Sequence, residues 1–126
     1  MRYDSVLHIG PREISITAPT YFIADIAANH DGDLERAKDL IFRARDAGAD
    51  AVKFQHFKAD KIVSDRGFRD LGGQLGHQSA WKKPVFEIYR QYECNRDWNL
   101  ALAETACAAE IDFMTTPYDV EAVEML

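Results

Sequence analysis

Hydrophobic positions near the amino terminus predict a β-hairpin followed by a buried strand. The first 18 residues alternate loosely between apolar and polar positions on either side of Gly10-Pro11, a dipeptide typical of a turn. The run Tyr21–Ile26 is apolar at nearly every position, as expected for a strand that is covered on both faces of a parallel sheet. We therefore predict a hairpin over residues 1–18 and βα units over residues 19–126.

An amphipathic helix and a second strand follow. Asp33 is a suitable N-cap, and apolar residues then recur at helical spacing until Gly48, which suits the position just past a helix end. Residues 51–55 are again largely apolar. Because strand, helix and strand follow one another so closely, they predict a βαβ unit with parallel strands. The helical repeat consists of Leu34, Ala37, Leu40, Ile41 and Ala44.

The second half of the chain begins irregularly and then repeats this alternation. Residues 56–81 show no clean period, and a loop of that length in a compact domain is usually functional or disordered. Pro84 is suited to begin a short helix and Asn95 to cap another. Residues 111–114 predict a third strand, and Asp119 is suited to cap a last helix. The order predicts an α/β fold in a single segment, with helices packed on a parallel sheet.

Composition narrows the class of protein. The 126 residues are 47% hydrophobic and 29% charged with a net charge of −6, which is typical of a globular domain. No apolar run approaches the ~18 residues of a membrane span, and the amino terminus does not resemble a signal peptide. We therefore expect a cytoplasmic protein without a membrane partner. The acidic balance argues against nucleic acid as the main partner.

Polar residues placed late in three predicted strands give the strongest functional signal. Asp25 interrupts the first buried strand, Lys53 and Gln55 interrupt the second, and Thr115-Thr116 end the third. Burying such groups without partners is unfavourable, so a strand that carries them needs a reason to do so. Ligands of parallel α/β folds bind at the carboxyl ends of the strands. The sequence therefore predicts a binding site at this end of the sheet.

Structural explanations of the same residues stay open. Asp25 and Lys53 could form a buried ion pair without any chemistry, because buried ion pairs also occur outside functional sites. Thr115-Thr116 could serve only to start the helix that follows Pro117.

Histidines, cysteines and aromatic residues give weaker signals. His30 lies in a loop and could be a metal ligand or a proton donor, although a single loop histidine is usually neither. His56 and His77 could join it, but the spacing matches no zinc motif. Cys107 is expected to be buried and inert, and Cys94 shows no base beside it. We expect four aromatic residues to pack in the core: Trp81, Tyr89, Tyr92 and Trp98.

Three segments form a combination that is more specific than any of its parts. They are Tyr21–Gly32 (YFIADIAANHDG), Ala47–Gln55 (AGADAVKFQ) and Asp112–Asp119 (DFMTTPYD). In this order and at these distances they resemble the amino-terminal part of N-acetylneuraminate (sialic acid) synthases, over residues 20–126. The family pattern is Glu-Ile-Gly, Asn-His-x-Gly, Gly-Ala-Asp-x-Val-Lys-Phe-Gln and Ser/Thr-Thr-Pro-Phe-Asp.

The resemblance implies a fold and a reaction. The fold would be a (β/α)₈ TIM barrel, of which this chain would supply the amino-terminal part, with about three βα units and the hairpin. The reaction would condense phosphoenolpyruvate with an N-acylated aldose such as N-acetylmannosamine, giving a nonulosonic acid and phosphate. A divalent metal, Mn²⁺ or Mg²⁺, would assist, with histidine ligands on strands that this chain does not contain.

The resemblance also implies roles for individual residues. Asp25 and Lys53 would be the catalytic residues, with Lys53 against the phosphoenolpyruvate anion and Asp25 in the place of an acidic residue that contacts the sugar. Thr116 would donate to the phosphate and Gln55 would hold the sugar. The pair Asn29-His30 would shape the neighbouring loop. A multiply charged anion needs a fixed cation and neutral donors, and a sugar needs acceptors and amides, so these residue types suit the substrates.

The sequence departs from the family pattern in three places and in length. Asp25 is one methylene shorter than the family's Glu, and Ala27 replaces a Gly. Residues 67–92 resemble a variant branch of the family. The resemblance therefore does not identify the acceptor sugar. A complete barrel takes about 250 residues. We therefore expect this chain to be an incomplete, inactive part of a longer enzyme, without the family's C-terminal antifreeze-like domain. Alternatively, the chain would self-associate as a homodimer or higher oligomer, because association would cover an unpaired sheet edge.

Two other functions stay open. The chain could belong to an aldolase that uses Lys53 as a Schiff-base amine, since a desolvated lysine on a barrel strand suits that chemistry. It could also be a binding or assembly module that retains only half of a site.

Overall fold

The structure is a computed structural model that describes residues 4–71, 78 and 80–126. Five strands and six α-helices are formed by these residues. The strands are β1 (Val6–Ile9), β2 (Arg12–Ser15), β3 (Ile23–Ala27), β4 (Ala51–His56) and β5 (Asp112–Pro117). The helices are α1 (Leu34–Asp46), α2 (Ala59–Ile62), α3 (Asp65–Asp70), α4 (Val85–Gln91), α5 (Asn99–Ala108) and α6 (Val120–Met125), with a 3₁₀ turn at Arg96–Trp98 before α5.

The strands form two separate sheets. β1 and β2 pair as an antiparallel hairpin, as predicted. β3, β4 and β5 form a parallel sheet in that order, so each strand pairs with the next one along the chain. The chain therefore has the predicted α/β fold with a parallel sheet.

The core lies between one face of the parallel sheet and the helices α1 and α5. Strand residues of alternating position face these helices, because neighbouring side chains of a strand point to opposite faces. Helix α1 presents its predicted apolar stripe to them. The fully buried members of this cluster are Ala37, Ile41, Val52, Phe54, Cys94 and Leu102.

The ends of α1 follow the sequence signals. The Asp33 carboxylate accepts a hydrogen bond from the Arg36 N–H at 2.9 Å, which satisfies one of the free donors of the first turn. Gly48 follows the helix with φ of +86°, a conformation that favours glycine.

The region after β4 differs from the prediction. Residues 56–81 were expected to be irregular, but they contain the short helices α2 and α3. Each is only one to two turns long, too short to show an amphipathic period. The glycine-rich stretch 72–76 and His77 lie outside the described residues.

The hairpin is attached to the amino-terminal end of the sheet. Arg12 forms an ion pair with Asp50, just before β4, and its guanidinium lies 5.2 Å from the centroid of the Tyr21 ring. The Tyr21 hydroxyl donates to Asp112 Oδ2 at 2.6 Å, and the Phe22 N–H donates to Asp50 Oδ2 at 2.8 Å. These contacts lie at the opposite end of the strands from the polar residues that suggested a ligand site.

Within the part of the chain that the structure describes, no helix is long and apolar enough to cross a membrane.

Candidate functional site

Four polar residues predicted for the site lie on one face of the parallel sheet. Asp25 is the register partner of Lys53 across β3 and β4, and Gln55 is the partner of Thr116 across β4 and β5. Lys53 and Gln55 are two positions apart, so they share a face, which is opposite to the face of Val52 and Phe54 in the core. We refer to Asp25, Lys53, Gln55 and Thr116 as the polar face.

Asp25 and Lys53 form an ion pair that is open to solvent. Lys53 Nζ lies 3.2 Å from Asp25 Oδ2, and the two side chains are 34% and 51% exposed, respectively. The pair is therefore not the buried ion pair considered above. Since exposed ion pairs contribute only about 0–1 kcal/mol to stability, folding gives little reason for both charges to be there. Both charges are accessible to a ligand.

The loop after β3 is held by its own polar groups. Asn29 Nδ2 and the Asn29 N–H both donate to the Ile26 carbonyl, at 3.0 and 2.9 Å, while Arg36 Nε donates to the Asn29 carbonyl at 2.8 Å. His30 is fully buried, and its Nδ1 accepts from the Gly32 N–H at 3.0 Å. These contacts suit the loop-shaping role proposed for Asn29 and His30, which stays a prediction.

His30 is held as a neutral ring. Burial lowers its pKa, and the Nδ1 that accepts a hydrogen bond carries no proton. Its ring meets the Trp98 ring edge-on at 5.7 Å between centroids. His30 therefore packs beneath the loop and is not presented to solvent.

A second polar cluster, on the opposite face from the polar face, was not predicted. The fully buried His56 contacts Thr115 Oγ1 through Nδ1 at 2.6 Å, and its Nε2 lies 3.7 Å from Cys94 Sγ. The expectation that Cys94 has no base beside it was wrong. Thr115 therefore faces the core, whereas Thr116 belongs to the polar face.

The Cys94–His56 contact does not make a nucleophile. Burial raises the pKa of the Cys94 thiol to about 11, so the thiol stays protonated near neutral pH, and only the thiolate is reactive. Burial also lowers the pKa of His56, with smaller contributions from Arg96 and His30. The second cysteine also departs from expectation, because Cys107 is exposed.

Three of the four aromatic residues expected in the core line an open cavity instead. Trp98 packs against the core as expected. Trp81, Tyr89 and Tyr92 line a cavity of about 250 Å³ that Gln55 also borders. We call this cavity the aromatic pocket; its lining residues are Ala28, Gln55, Phe57, Trp81, Ile88, Tyr89 and Tyr92. The sequence did not predict this pocket, because its lining residues come from separate parts of the chain. The only local signal was the helical spacing of Ile88, Tyr89 and Tyr92, which we interpreted as core packing.

The described residues do not assemble a metal centre. Residues 4–71, 78 and 80–126 contain no group of three or more histidine, cysteine or acidic side chains arranged to hold a metal ion. His30 and His56 are buried on the side of the sheet away from the polar face.

Comparison with known proteins assigns the chain to a family. The NeuB family matches residues 40–126, which include β4, β5 and three of the four polar-face residues. The chain belongs to the NeuB family. The predicted relationship to sialic acid synthases is thus confirmed.

Individual relatives of this NeuB-family chain share about a third of its residues. The N,N'-diacetyllegionaminic acid synthase of Legionella pneumophila is 34% identical over 118 residues, covering 94% of this chain and 32% of that protein. The synthase of the same name from Campylobacter jejuni is 36% identical over 107 residues, covering 85% of this chain and 31% of that protein. The chain therefore spans about a third of the length of the curated relatives it matches.

A solved structure supports the fold. The N-acetylneuraminic acid (sialic acid) synthetase of Leptospira borgpetersenii, in complex with citrate, superposes with a TM-score of 0.76 at 27% identity. The match covers 96% of this chain and 37% of that protein. The parallel sheet and its helices thus have the arrangement found in a part of that synthetase.

Proposed function

We propose that this NeuB-family chain supplies the phosphoenolpyruvate and sugar contacts of a nonulosonic acid synthase built on a (β/α)₈ barrel. Its substrates would be phosphoenolpyruvate and an N-acylated aldose, N-acetylmannosamine or a related sugar. The observation that carries this proposal is the polar face: one cation, one carboxylate, one amide and one hydroxyl, in register at the carboxyl ends of three parallel strands. Parallel α/β folds bind their ligands at this end.

The phosphoenolpyruvate half is assigned to Lys53 and Thr116. Lys53 offers the ammonium group, and Thr116 offers a hydroxyl donor on the neighbouring strand. A charged donor and a neutral donor together suit a phosphate or carboxylate, because charge-assisted hydrogen bonds are the stronger ones. The proposal places the anion over β4 and β5.

The sugar half is assigned to Asp25 and Gln55. The Asp25 carboxylate accepts hydrogen bonds from hydroxyl groups, and the Gln55 amide both donates and accepts. The proposal places the aldehyde end of the sugar between Asp25 and Lys53. Asp25 has a shorter side chain than the glutamate of the family pattern, so the sugar would lie closer to β3.

The reaction would proceed by carbon–carbon bond formation and loss of phosphate. The terminal carbon of the enol phosphate attacks the sugar aldehyde, whose oxygen takes up a proton, and a cationic carbon is left at C2. Water adds to C2, and the resulting intermediate loses phosphate by C–O cleavage to give the keto acid. Lys53 would bind the anion throughout, and the negative charge of Asp25 would stabilise the cationic carbon. Positioning and electrostatic stabilisation would be the main contributions.

A divalent metal belongs to the proposed activity through the family resemblance alone. Mn²⁺ or Mg²⁺ would polarise the sugar aldehyde. The described residues offer no cluster of metal ligands, so the proposal places the ligands of this ion outside them.

The Asp25–Lys53 ion pair disfavours the aldolase alternative. A Schiff-base lysine is activated by desolvation or by a neighbouring cation, whereas the Lys53 side chain is 34% exposed and has a carboxylate 3.2 Å away. Borohydride trapping with a carbonyl substrate separates the two mechanisms, because only the aldolase gives a reduced adduct on Lys53.

Titration with phosphoenolpyruvate tests the proposal directly. We expect the protein to bind phosphoenolpyruvate, and Lys53→Ala to weaken binding at least tenfold, since a hydrogen bond to a charged group contributes about 1.5–3 kcal/mol. Isothermal titration calorimetry measures both affinities. Lys61→Ala is the matched control, because Lys61 is exposed on α2 and outside the polar face. Equal affinity of wild type and Lys53→Ala would contradict the proposal.

A further inference from the structure

Thr116 lies between two contacts that one residue, His56, makes with the end of β5 and the turn after it. Thr115, just before Thr116, has its Oγ1 at 2.6 Å from Nδ1 of the His56 ring. Tyr118, two residues after Thr116, donates its N–H to the His56 carbonyl at 3.2 Å. His56 is the last residue of β4. Its side chain and its backbone therefore hold the chain on both sides of Thr116.

The His56 ring is fixed at both of its nitrogens. It is fully buried, with Thr115 Oγ1 at Nδ1 and Cys94 Sγ at 3.7 Å from Nε2. A neutral ring donates at one nitrogen and accepts at the other, and a hydroxyl or a thiol can do either, so both contacts suit either tautomer. Burial lowers the pKa of His56, which favours the neutral ring. The ring cannot turn away from Thr115 without leaving buried polar atoms unpaired.

The His56–Thr115 contact lies directly behind two residues of the polar face. Side chains alternate along a strand, so the His56 ring and the Gln55 amide point to opposite faces of the sheet. Thr115 and Thr116 do the same on β5, where Thr116 is the register partner of Gln55. Because Thr115 and Thr116 share a peptide bond, a shift of Thr115 on the core side also moves the Thr116 hydroxyl on the polar face.

Core packing alone gives little reason for a histidine at the end of β4. Val52 and Phe54 lie on the same face of this strand, and both are apolar and fully buried. Burying an imidazole beside them is unfavourable unless its nitrogens are paired. The shorter of the two side-chain contacts of His56 goes to the residue next to Thr116. Histidine at this position is therefore better explained by how it holds β5.

We propose that His56 is a positioning residue of the phosphate half of the site: through Thr115 it places the Thr116 hydroxyl where it donates to the anion. This inference rests on the proposed function, because it needs Thr116 to bind phosphoenolpyruvate. His56 stays on the core side and does not touch the ligand. Lys53 pairs with Asp25 across β3 and β4, so its contact with the anion should not depend on His56.

Four variants test this role by calorimetric titration with phosphoenolpyruvate. His56→Leu removes both ring contacts, and Thr115→Val removes the hydroxyl with little change in shape. We expect each to weaken binding about fivefold, which corresponds to ~1 kcal/mol for a neutral hydrogen bond. His56→Asn is the conservative variant: its amide lies where Nδ1 was, so it should bind within about twofold of wild type. The His56→Gln amide lies where Nε2 was, so this variant should bind as weakly as His56→Leu.

A double-mutant cycle shows whether His56 acts through Thr116. Thr116→Val alone should weaken binding about fivefold, but by less than about twofold in the His56→Leu background, because the hydroxyl is already displaced there. Lys53→Ala should cause the same loss in both backgrounds. Ile41→Val is the control for a loss of core packing alone, since Ile41 is fully buried on α1. It should lower stability and leave the affinity unchanged.

The outcomes separate this inference from the proposed function. If phosphoenolpyruvate binds in a Lys53-dependent manner but His56→Leu and Thr115→Val retain wild-type affinity, the positioning role is wrong and the proposed function stands. Equal losses in His56→Asn and His56→Leu, additive losses in the cycle, or a comparable loss in Ile41→Val would also overturn the positioning role. If His56→Leu does not fold, Thr115→Val takes its place in the cycle with the same expected result. Absence of phosphoenolpyruvate binding to the wild type would overturn both.

Discussion

The two buried histidines make the stability of the fold depend on pH. His30 and His56 are fully buried, and burial lowers the pKa of each below its ordinary value near 6.5. The unfolded chain therefore binds protons at a higher pH than the folded chain. The two histidines therefore do not reduce the free energy of unfolding above about pH 6.5. Below that pH the free energy of unfolding decreases, because the unfolded chain takes up protons that the folded chain does not.

We expect the free energy of unfolding to fall between pH 7.5 and pH 5.5. The limiting slope below pH 6.5 is about 1.4 kcal/mol per pH unit for each histidine that stays neutral in the folded state. Urea denaturation at half-unit intervals of pH measures it. His56→Gln should reduce the slope, whereas His8→Gln, at an exposed position of β1, should not. A constant unfolding free energy over this range would contradict the argument.

Ala27 occupies a backbone conformation that favours glycine. Its φ is +51°, at the point where the register between β3 and β4 shifts. The family pattern has glycine at this position, and the positive φ gives a physical reason for it. A residue with a Cβ here is expected to lower the free energy of unfolding. A non-glycine residue in the left-handed region costs roughly 1–2 kcal/mol.

Ala27→Gly should therefore stabilise the protein, although glycine substitutions usually destabilise. Relief of strain outweighs the greater entropy of glycine in the unfolded chain, so we expect the unfolding free energy to rise by up to ~1 kcal/mol. Thermal or urea denaturation measures the change. Ala28→Gly, at the next position and without a positive φ, should destabilise. Equal effects of the two substitutions would show that Ala27 is not strained.

At the scale of elements, helices α1 and α5 end in the same way with different residues. After α1, the Gly48 N–H donates to the Arg45 carbonyl and the Ala49 N–H to the Ala44 carbonyl, at 2.9 and 3.0 Å. After α5, the Glu110 N–H donates to Cys107 and the Ile111 N–H to Ala106, both at 3.1 Å. Both are Schellman motifs.

The residue with the left-handed backbone conformation determines how much each helix end contributes to the free energy of unfolding. Gly48 has φ of +86° and Glu110 has φ of +55°. We expect Gly48→Ala to destabilise and Glu110→Gly to stabilise, each by ~1 kcal/mol. A Cβ at Gly48 would meet nothing within 4 Å, so the first effect is one of backbone conformation alone. Urea denaturation compares the two variants, and changes of the same sign would contradict this explanation.

Elements with a clear period were predictable from the sequence, and those without one were not. The repeat from Leu34 to Ala44 and the cap at Asp33 predict α1 because the signals are local. By contrast, α2 consists of four residues and depends on a distant partner. The Ala59 N–H donates to Glu93 Oε1, and Lys58 pairs with the same carboxylate at 3.0 Å. A contact between residues 34 positions apart has no signature in a local pattern.

The same distinction explains which parts of the candidate site were predictable. Asp25, Lys53, Gln55 and Thr116 follow from strand alternation, because parallel strands bring equivalent positions together at one end. The Cys94–His56 contact and the aromatic pocket depend on how α4 and the segment after it pack onto the sheet. Residues 38 positions apart meet there, and only the tertiary structure shows it.

At the scale of the whole molecule, stabilising and ligand-facing contacts lie at opposite ends of the same strands. The Tyr21 hydroxyl and the Asp50 carboxylate connect the hairpin, β3 and β5 at the amino-terminal end. The polar face lies at the carboxyl end, where Asp25 and Lys53 are open to solvent. Because these regions share no side chain, substitutions in one should not affect the other.

This separation predicts that one single substitution affects only stability and another affects mainly binding. Tyr21→Phe removes the hydrogen bond to Asp112 and should lower the unfolding free energy by ~1 kcal/mol, while phosphoenolpyruvate affinity stays at the wild-type value. Lys53→Ala removes an exposed ion pair and should change stability by less than ~1 kcal/mol, while it weakens phosphoenolpyruvate binding. Urea denaturation and calorimetric titration of both variants complete the comparison.

The double variant shows whether the two ends are independent. If they are, Tyr21→Phe with Lys53→Ala has the stability of the first and the affinity of the second, within about 0.5 kcal/mol. A loss of phosphoenolpyruvate binding in Tyr21→Phe alone would mean that the hairpin contacts position the strands of the polar face. Such a result would assign Tyr21 and Asp112 to the support of the site, and the division between the two ends of the sheet would be wrong.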